Sequence, residues 1–286
     1  MRYPIGLQSF DHLREEGYVY VDKTAMVYSL AHGSTVYFLG RPRRFGKSLL
    51  ISTFENYFLG KKELFKGLAI EKLETEWKTY PVFHIDFGTG SYANEDALNQ
   101  IFEFYQIERE LGVTDYNLRF KKVLEEAHRQ TGLRAVVLVD EYDKPLLDVM
   151  DTGYMVEHLG EQITLEEKNR NMLRAFYSTF KGADKHLQFV FLTGVTKFSQ
   201  VSVFSDFNQP NDISMSPKYD TICGITDEEL EQTFSQQIEE LAAVYDYTGE
   251  KMRAVLKKRF DGYHFSKRMK GVYNPFSILN TFDKQD

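Results

Sequence analysis

The sequence predicts an α/β fold with a mostly parallel sheet, and three observations carry this. Short runs rich in β-branched and aromatic residues recur along the chain: TVYFLG (35–40), PVFHIDF (81–87), RAVVLVDE (134–141), LQFVFLTG (187–194) and YDTICGIT (219–226). Runs of this length without polar alternation suit strands covered on both faces. Segments with helical patterning separate them, over 48–59, 94–111, 117–131 and 165–181. In the last of these, Leu173, Phe176, Tyr177 and Phe180 recur at three-to-four spacing. Strand and helix therefore alternate, as in a parallel sheet with helices on its faces. The third observation is size: 286 residues suit about two domains, or one large α/β domain with an appendage.

Beyond residue 225 the pattern changes. Thr226 followed three residues later by Glu229 is a capping-box signature, and it opens the helical run TDEELEQTFSQQIEELAAVYDY. A second helix is expected over 250–260. The chain is accordingly divided into an α/β core, 1–225, and a helical lid or extension, 226–286. The closing NPFSILNTFDKQD shows no compact element in this reading, so a truncation ahead of a further domain is expected.

Composition narrows the function classes. An aromatic share of 15% argues against disorder. The net charge of −7 gives no whole-chain footprint for a protein that binds nucleic acid by neutralising phosphates, which leaves only local patches. One cysteine, Cys223, excludes an intramolecular disulfide and a cysteine-rich metal cluster. The N-terminal segment lacks the apolar stretch of a signal peptide. No run approaches the roughly 18 apolar residues of a membrane span. A cytoplasmic location without membrane contact is expected.

The stretch FLGRPRRFGKSLL raises the central question. A phosphate-binding loop reads G-x-x-x-x-G-K-[ST], but here Gly40 and Gly46 are separated by five residues, and Arg41 stands where the first glycine belongs. The context is nonetheless the required one, with an apolar strand running in and an amphipathic helix running out. In that setting backbone N–H groups of the loop and helix start are unpaired donors, and the helix dipole favours an anion. Gly46 permits close approach and an unusual φ. Lys47 would reach the β- and γ-phosphates and Ser48 would hold Mg²⁺, while Gly40, Arg43, Arg44, Phe45 and Leu49 complete the candidate binding loop. Arg43 and Arg44 contact either phosphate or a neighbouring acid. The competing reading is a basic surface loop, in which Arg41, Arg43, Arg44 and Lys47 form a nucleic-acid patch.

The second half of such a site ends the run AVVLVDE. Asp140 and Glu141 close a buried strand, at the edge where ligands of parallel sheets sit. Adjacent acids there are costly to bury without a cation. Asp140 is the candidate metal holder and Glu141 the candidate base acting on water. The alternative is a solvated turn into Tyr142-Asp143-Lys144-Pro145. Thr193 ends the next strand and is the best-placed polar residue to contact the γ-phosphate or its water, ahead of Thr196 and Lys197.

Taken together, YVYVDKTAMVYSL, FLGRPRRFGKSLL, VVLVDEYDKPL, FLTGVTKFS, FNQPNDISMSPKYDTICGITDEEL and FDGYHFS followed by VYNPFSILN resemble the bacterial AAA-ATPase-like family, in the family's order and over nearly the whole chain. The RPRRFGK form of the loop is typical of that family, so the resemblance turns the reading toward a phosphate cradle. It implies a P-loop NTPase fold related to AAA+ and signal-transducing NTPases, with ATP as nucleotide and Mg²⁺ as its partner. Members often continue into a nuclease-like domain of the PD-(D/E)xK type, which this sequence does not contain. A protein partner or oligomer is left unidentified.

Other residues have weaker claims. Asp22 and Lys23 shape either a base or lid contact or a capped turn. Arg170 and Arg174 are either a contact to a neighbouring subunit's nucleotide or solvated helix charge. Tyr263 and His264 lie in the tail, where a histidine either senses the diphosphate or is structural. Asp86 is a metal-side acid or a turn cap.

Overall fold

The computed structural model describes residues 1–93, 96–98, 100, 116–158, 160–195 and 210–285. In chain order its strands are β1 (Val36–Gly40), β2 (Val82–Asp86), β3 (Ala135–Asp140), β4 (Met155–His158), β5 (Glu161–Thr164), β6 (Leu187–Gly194), β7 (Asn211–Asp212), β8 (Asp261–His264) and β9 (Gly271–Tyr273). Its helices are α1 (Phe10–Glu15), α2 (Thr24–Ala31), α3 (Lys47–Phe58), α4 (Tyr116–Thr131), α5 (Lys144–Leu147), α6 (Leu165–Gly182), α7 (Asp227–Val244), α8 (Gly249–Phe260) and α9 (Pro275–Lys284). Five strands build one parallel sheet in the order β2-β3-β6-β1-β7, and β4–β5 and β8–β9 are separate antiparallel hairpins.

The central strands are apolar up to their C-terminal ends, Gln188 excepted, because both faces of the sheet are covered. Along β3, Val137 and Val139 enter the core shared with α4 and α6, while Val136 and Leu138 enter the one shared with α2 and α3. Strand β6 divides in the same way, with Val190 and Leu192 on the first face and Phe189 and Phe191 on the second. This is the parallel α/β architecture of a P-loop NTPase-like fold. A third apolar cluster lies in the tail, formed by residues such as Leu230, Phe234, Ile238, Met252, Leu256 and Phe282. Tyr3, Ile5, Val19 and Val21 pack against it, so the N-terminal segment bridges the sheet and the tail.

Three expectations differ from the structure. The run 219–226 is a series of turns with one isolated bridge, Ile225 to Tyr273. Gly224, at φ 94 and tight against Val272, breaks the extended backbone there, and the apolar side chains are buried by packing instead. The fifth sheet strand is the two-residue polar β7, whose short pairing on β1 leaves no hydrophobic signal. The tail is not wholly helical: Tyr263 and His264 lie in β8, and NPFSILN opens α9, where the Asn274 side chain caps the first turn and Pro275 takes the first helical position. The helix expected over 94–111 lies largely outside the described residues, as do Thr196 and Lys197.

Candidate functional site

The loop after β1 explains its own spacing. The Arg41 N–H donates to Gly194 O at 3.1 Å, extending the sheet ladder one residue beyond Gly40. The Arg41 side chain turns inward, 1% exposed, and donates to Gly40 O, Ser214 O and Tyr219 O at 2.9, 2.6 and 3.1 Å. Its guanidinium lies 4.0 Å from the centre of the Phe265 ring. The turn proper therefore starts at Pro42, so the extra residue belongs to the strand end. Because Arg41 and Lys47 are both buried, the four positive charges do not form one surface patch.

Two left-handed residues then shape the loop, Arg44 at φ 66 and Gly46 at φ 87. Among the described residues, the backbone N–H groups of Gly46, Lys47 and Ser48 meet no acceptor, and a Cβ built on Gly46 would face open space. These amides open the 12-residue helix α3, where the dipole adds partial positive charge. Lys47, 6% exposed, arches back over the loop and donates to Arg41 O and Pro42 O, each at 3.1 Å. Burial pushes its pKa down, against the pull of Asp140 and Glu141. The loop thus fits a phosphate: free amides, open space above a glycine, and a buried ammonium.

Strand β6 lies between β1 and β3, and its end links the loop to the acids. The Thr193 side chain is fully buried, and its hydroxyl donates to Asp140 Oδ1, which also accepts the Glu141 N–H at 3.0 Å. Thr193 thereby orients Asp140, and Oδ2 has no hydrogen-bond partner among the described residues. Asp140 and Ser48 line one polar cavity with Asp86, a donor set of hydroxyl and carboxylate that fits a divalent cation.

Glu141 follows at φ 52, a conformation a non-glycine residue adopts only when its neighbours impose it. They do. The Tyr142 N–H donates to Thr193 O at 2.9 Å, and its ring packs edge-on against Phe38 with centroids 5.2 Å apart. Asp143 Oδ2 accepts the Val195 N–H at 2.9 Å. Gly194 makes this packing possible, since a Cβ there would fall 2.2 Å from the Tyr142 ring. Glu141 lines a cleft with Lys47, Ser48, Arg43 and Arg44. Burial pushes its carboxyl above the usual range, and Asp140 adds to the effect.

Against this geometry the comparison with known families is direct. The AAA-ATPase-like family model, described as "Predicted AAA-ATPase", matches residues 4–204. The chain belongs to that family. It is also similar to an "Uncharacterized protein in vnfD 5'region" of Azotobacter chroococcum mcd 1, with 36% identity over 290 residues. That match covers 99% of this chain and 52% of the relative, so the chain spans about half the relative's length.

In this AAA-ATPase-like chain the remaining candidates divide by their partners. The Gly40 N–H donates to Ser214 Oγ at 2.7 Å, a partner the sequence reading missed because Ser214 lies 174 positions away. Phe45 is buried edge-on against Tyr263 and Phe265, at 4.7 and 5.5 Å, and Arg44 lies 4.3 Å over Phe276. Arg43 is exposed at the cleft, and Leu49 lines both the cleft and an apolar cavity behind Gly46. Asp22 Oδ1 accepts the Thr24 N–H at 2.8 Å and Oδ2 the Ala69 N–H at 2.7 Å, a turn-capping role. Lys23, beside it, pairs with Glu229 of α7 at 2.6 Å. Arg170 pairs with Glu166 one helical turn earlier. Asp86 closes β2 opposite Asp140 and accepts the Gly88 N–H at 2.7 Å.

Proposed function

We propose that the chain binds ATP with Mg²⁺ and hydrolyses it, and that the tail, 226–286, acts as a lid over the α/β core, 1–225. The observation that carries this reading is the meeting, around Ser48, of an amide-lined loop with a buried lysine and a paired-acid strand end. Phosphate charge is met by Lys47 and the free amides of Gly46, Lys47 and Ser48. Ser48 and Asp140 are the residues that would hold Mg²⁺, which when bound would further neutralise the phosphate oxygens. Thr193 keeps Asp140 oriented. Glu141 orients the attacking water and accepts its proton, a role suited to a carboxyl whose pKa burial has raised. The apolar cavity behind Gly46, lined by Val21, Leu49, Ile222 and Leu279, shares Gly46, Leu49 and Leu279 with the cleft and is the candidate seat for the base.

The lid role rests on direct contacts, since Arg41, Phe45 and Arg44 of the loop touch Phe265, Tyr263 and Phe276 of the tail. A phosphate seated in the loop and a tail residue stacked on Arg44 act on the same side chain. The test is ATP binding and phosphate release in the presence of Mg²⁺, on the unmodified chain, Lys47→Ala and Glu141→Gln. The expected result is binding weakened about 100-fold in Lys47→Ala, and retained binding with turnover reduced about 100-fold or more in Glu141→Gln. Tight binding by the unmodified chain without phosphate release would replace the hydrolytic reading with a nucleotide latch.

A further inference from the structure

The turn that follows β2 has no place in the loop or in the paired acids, yet it reaches the same carboxylates. Asp86 stands opposite Asp140 in the parallel register, so the turn begins at the same edge of the sheet. Its position is fixed from three sides. Phe87 is fully buried and meets Phe176 edge-on at 6.4 Å. Phe87 O accepts the hydroxyl of the buried Tyr92 at 3.0 Å, and the Gly88 N–H is held by Asp86 Oδ1. Gly88 is thereby pressed toward Glu141. A Cβ built on it would lie 3.1 Å from Glu141 Oε2, 3.2 Å from its carboxyl carbon and 2.9 Å from Asp86 Oδ1.

We propose that Gly88 is a positioning residue for Glu141: its missing side chain is the seat in which the Glu141 carboxylate rests. This rests on the reading of Glu141 as the residue that acts on water. The backbone of Glu141 cannot shift to make room for a larger residue, because Tyr142 and Asp143 are anchored to the end of β6. What a methyl group at position 88 meets is the far end of two carboxylate side chains, which can rotate away. The substitution therefore disturbs where the carboxylate points much more than how well the chain folds, and small misplacements of reacting groups are costly in rate. A purely structural glycine behaves in the opposite way.

The experiment is Gly88→Ala in the unmodified and the Glu141→Gln backgrounds, with kcat and KM for ATP and the thermal midpoint measured for each, and a crystal structure of Gly88→Ala. The expected result is a kcat lower by about 10- to 100-fold. KM should stay within about twofold and the midpoint should be unchanged, with Glu141 displaced in the crystal and no further loss in the Glu141→Gln background. Equal kcat, an additive loss in the Glu141→Gln background, or an unmoved Glu141 overturns the proposal. An unmodified chain that releases no phosphate overturns the hydrolytic reading and this one with it. A chain that hydrolyses ATP and is indifferent to Gly88→Ala overturns this one alone.

Discussion

Lys23 and Lys47 are equally buried, at 7% and 6% exposure, and burial pushes both pKa values down. Their surroundings differ. Lys23 donates to both carboxylate oxygens of Glu229 at 2.6 Å, and Glu229 also closes the capping box at the start of α7. Lys47 donates only to two loop carbonyls, and among the described residues no carboxylate lies within ion-pair distance of its Nζ. One ammonium is neutralised within the fold and ties the N-terminal segment to the tail. The other is held with its charge unmatched beside open amides. Burial alone therefore does not mark a candidate site lysine; a buried charge without a counter-ion is the feature that singles out Lys47 as one.

The strongest way to break this comparison is Glu229→Ala, which leaves the Lys23 ammonium buried without its partner and removes one arm of the capping box. It should cost about 3–5 kcal/mol of unfolding free energy by urea titration, with ATP affinity of the folded protein preserved. Lys47→Ala should do the reverse. ATP affinity should fall about 100-fold, roughly 2.7 kcal/mol, in a calorimetric titration, while stability changes little. If Lys47→Ala destabilises as much as Glu229→Ala, the contrast fails. Ser214→Ala sharpens it further by leaving the Gly40 N–H and the start of the loop without an acceptor. A loss of about 1–2 kcal/mol in stability is expected, with a weaker effect on binding. The smallest effect belongs to Phe276→Ala, which removes the ring under Arg44. Less than about 1 kcal/mol of stability should be lost, and a nucleotide affinity altered by that substitution would mark the loop–tail contact as part of the lid.

Much of the fold was legible because its signals are local. The buried strands of the sheet are continuous apolar runs, and α7 announces itself through Thr226 and Glu229. The strand β7 was not legible, since two polar residues pair at an edge without any pattern. The run 219–226 misled because an apolar segment packed under a turn reads like a strand. Gly224 was the available warning. At the candidate site, Gly46, Lys47, Ser48, Asp140 and Glu141 were recognisable as residue types at strand ends. The role of Arg41 was hidden because its partners, Ser214, Tyr219 and Phe265, are far away in sequence.

The amino-acid sequence by itself determined the alternation of strand and helix, the order of the site motifs and the family. These follow from periodicity and from side-chain chemistry at short range. Only the tertiary structure decided that Arg41 is an anchor of the strand end, that Thr193 serves Asp140, that Lys23 is paired while Lys47 is not, and that Gly88 lies against Glu141. Each of these depends on which distant side chain arrives within a few ångströms, and that is set by the order of the strands in the sheet and by the packing of the N-terminal segment on the tail.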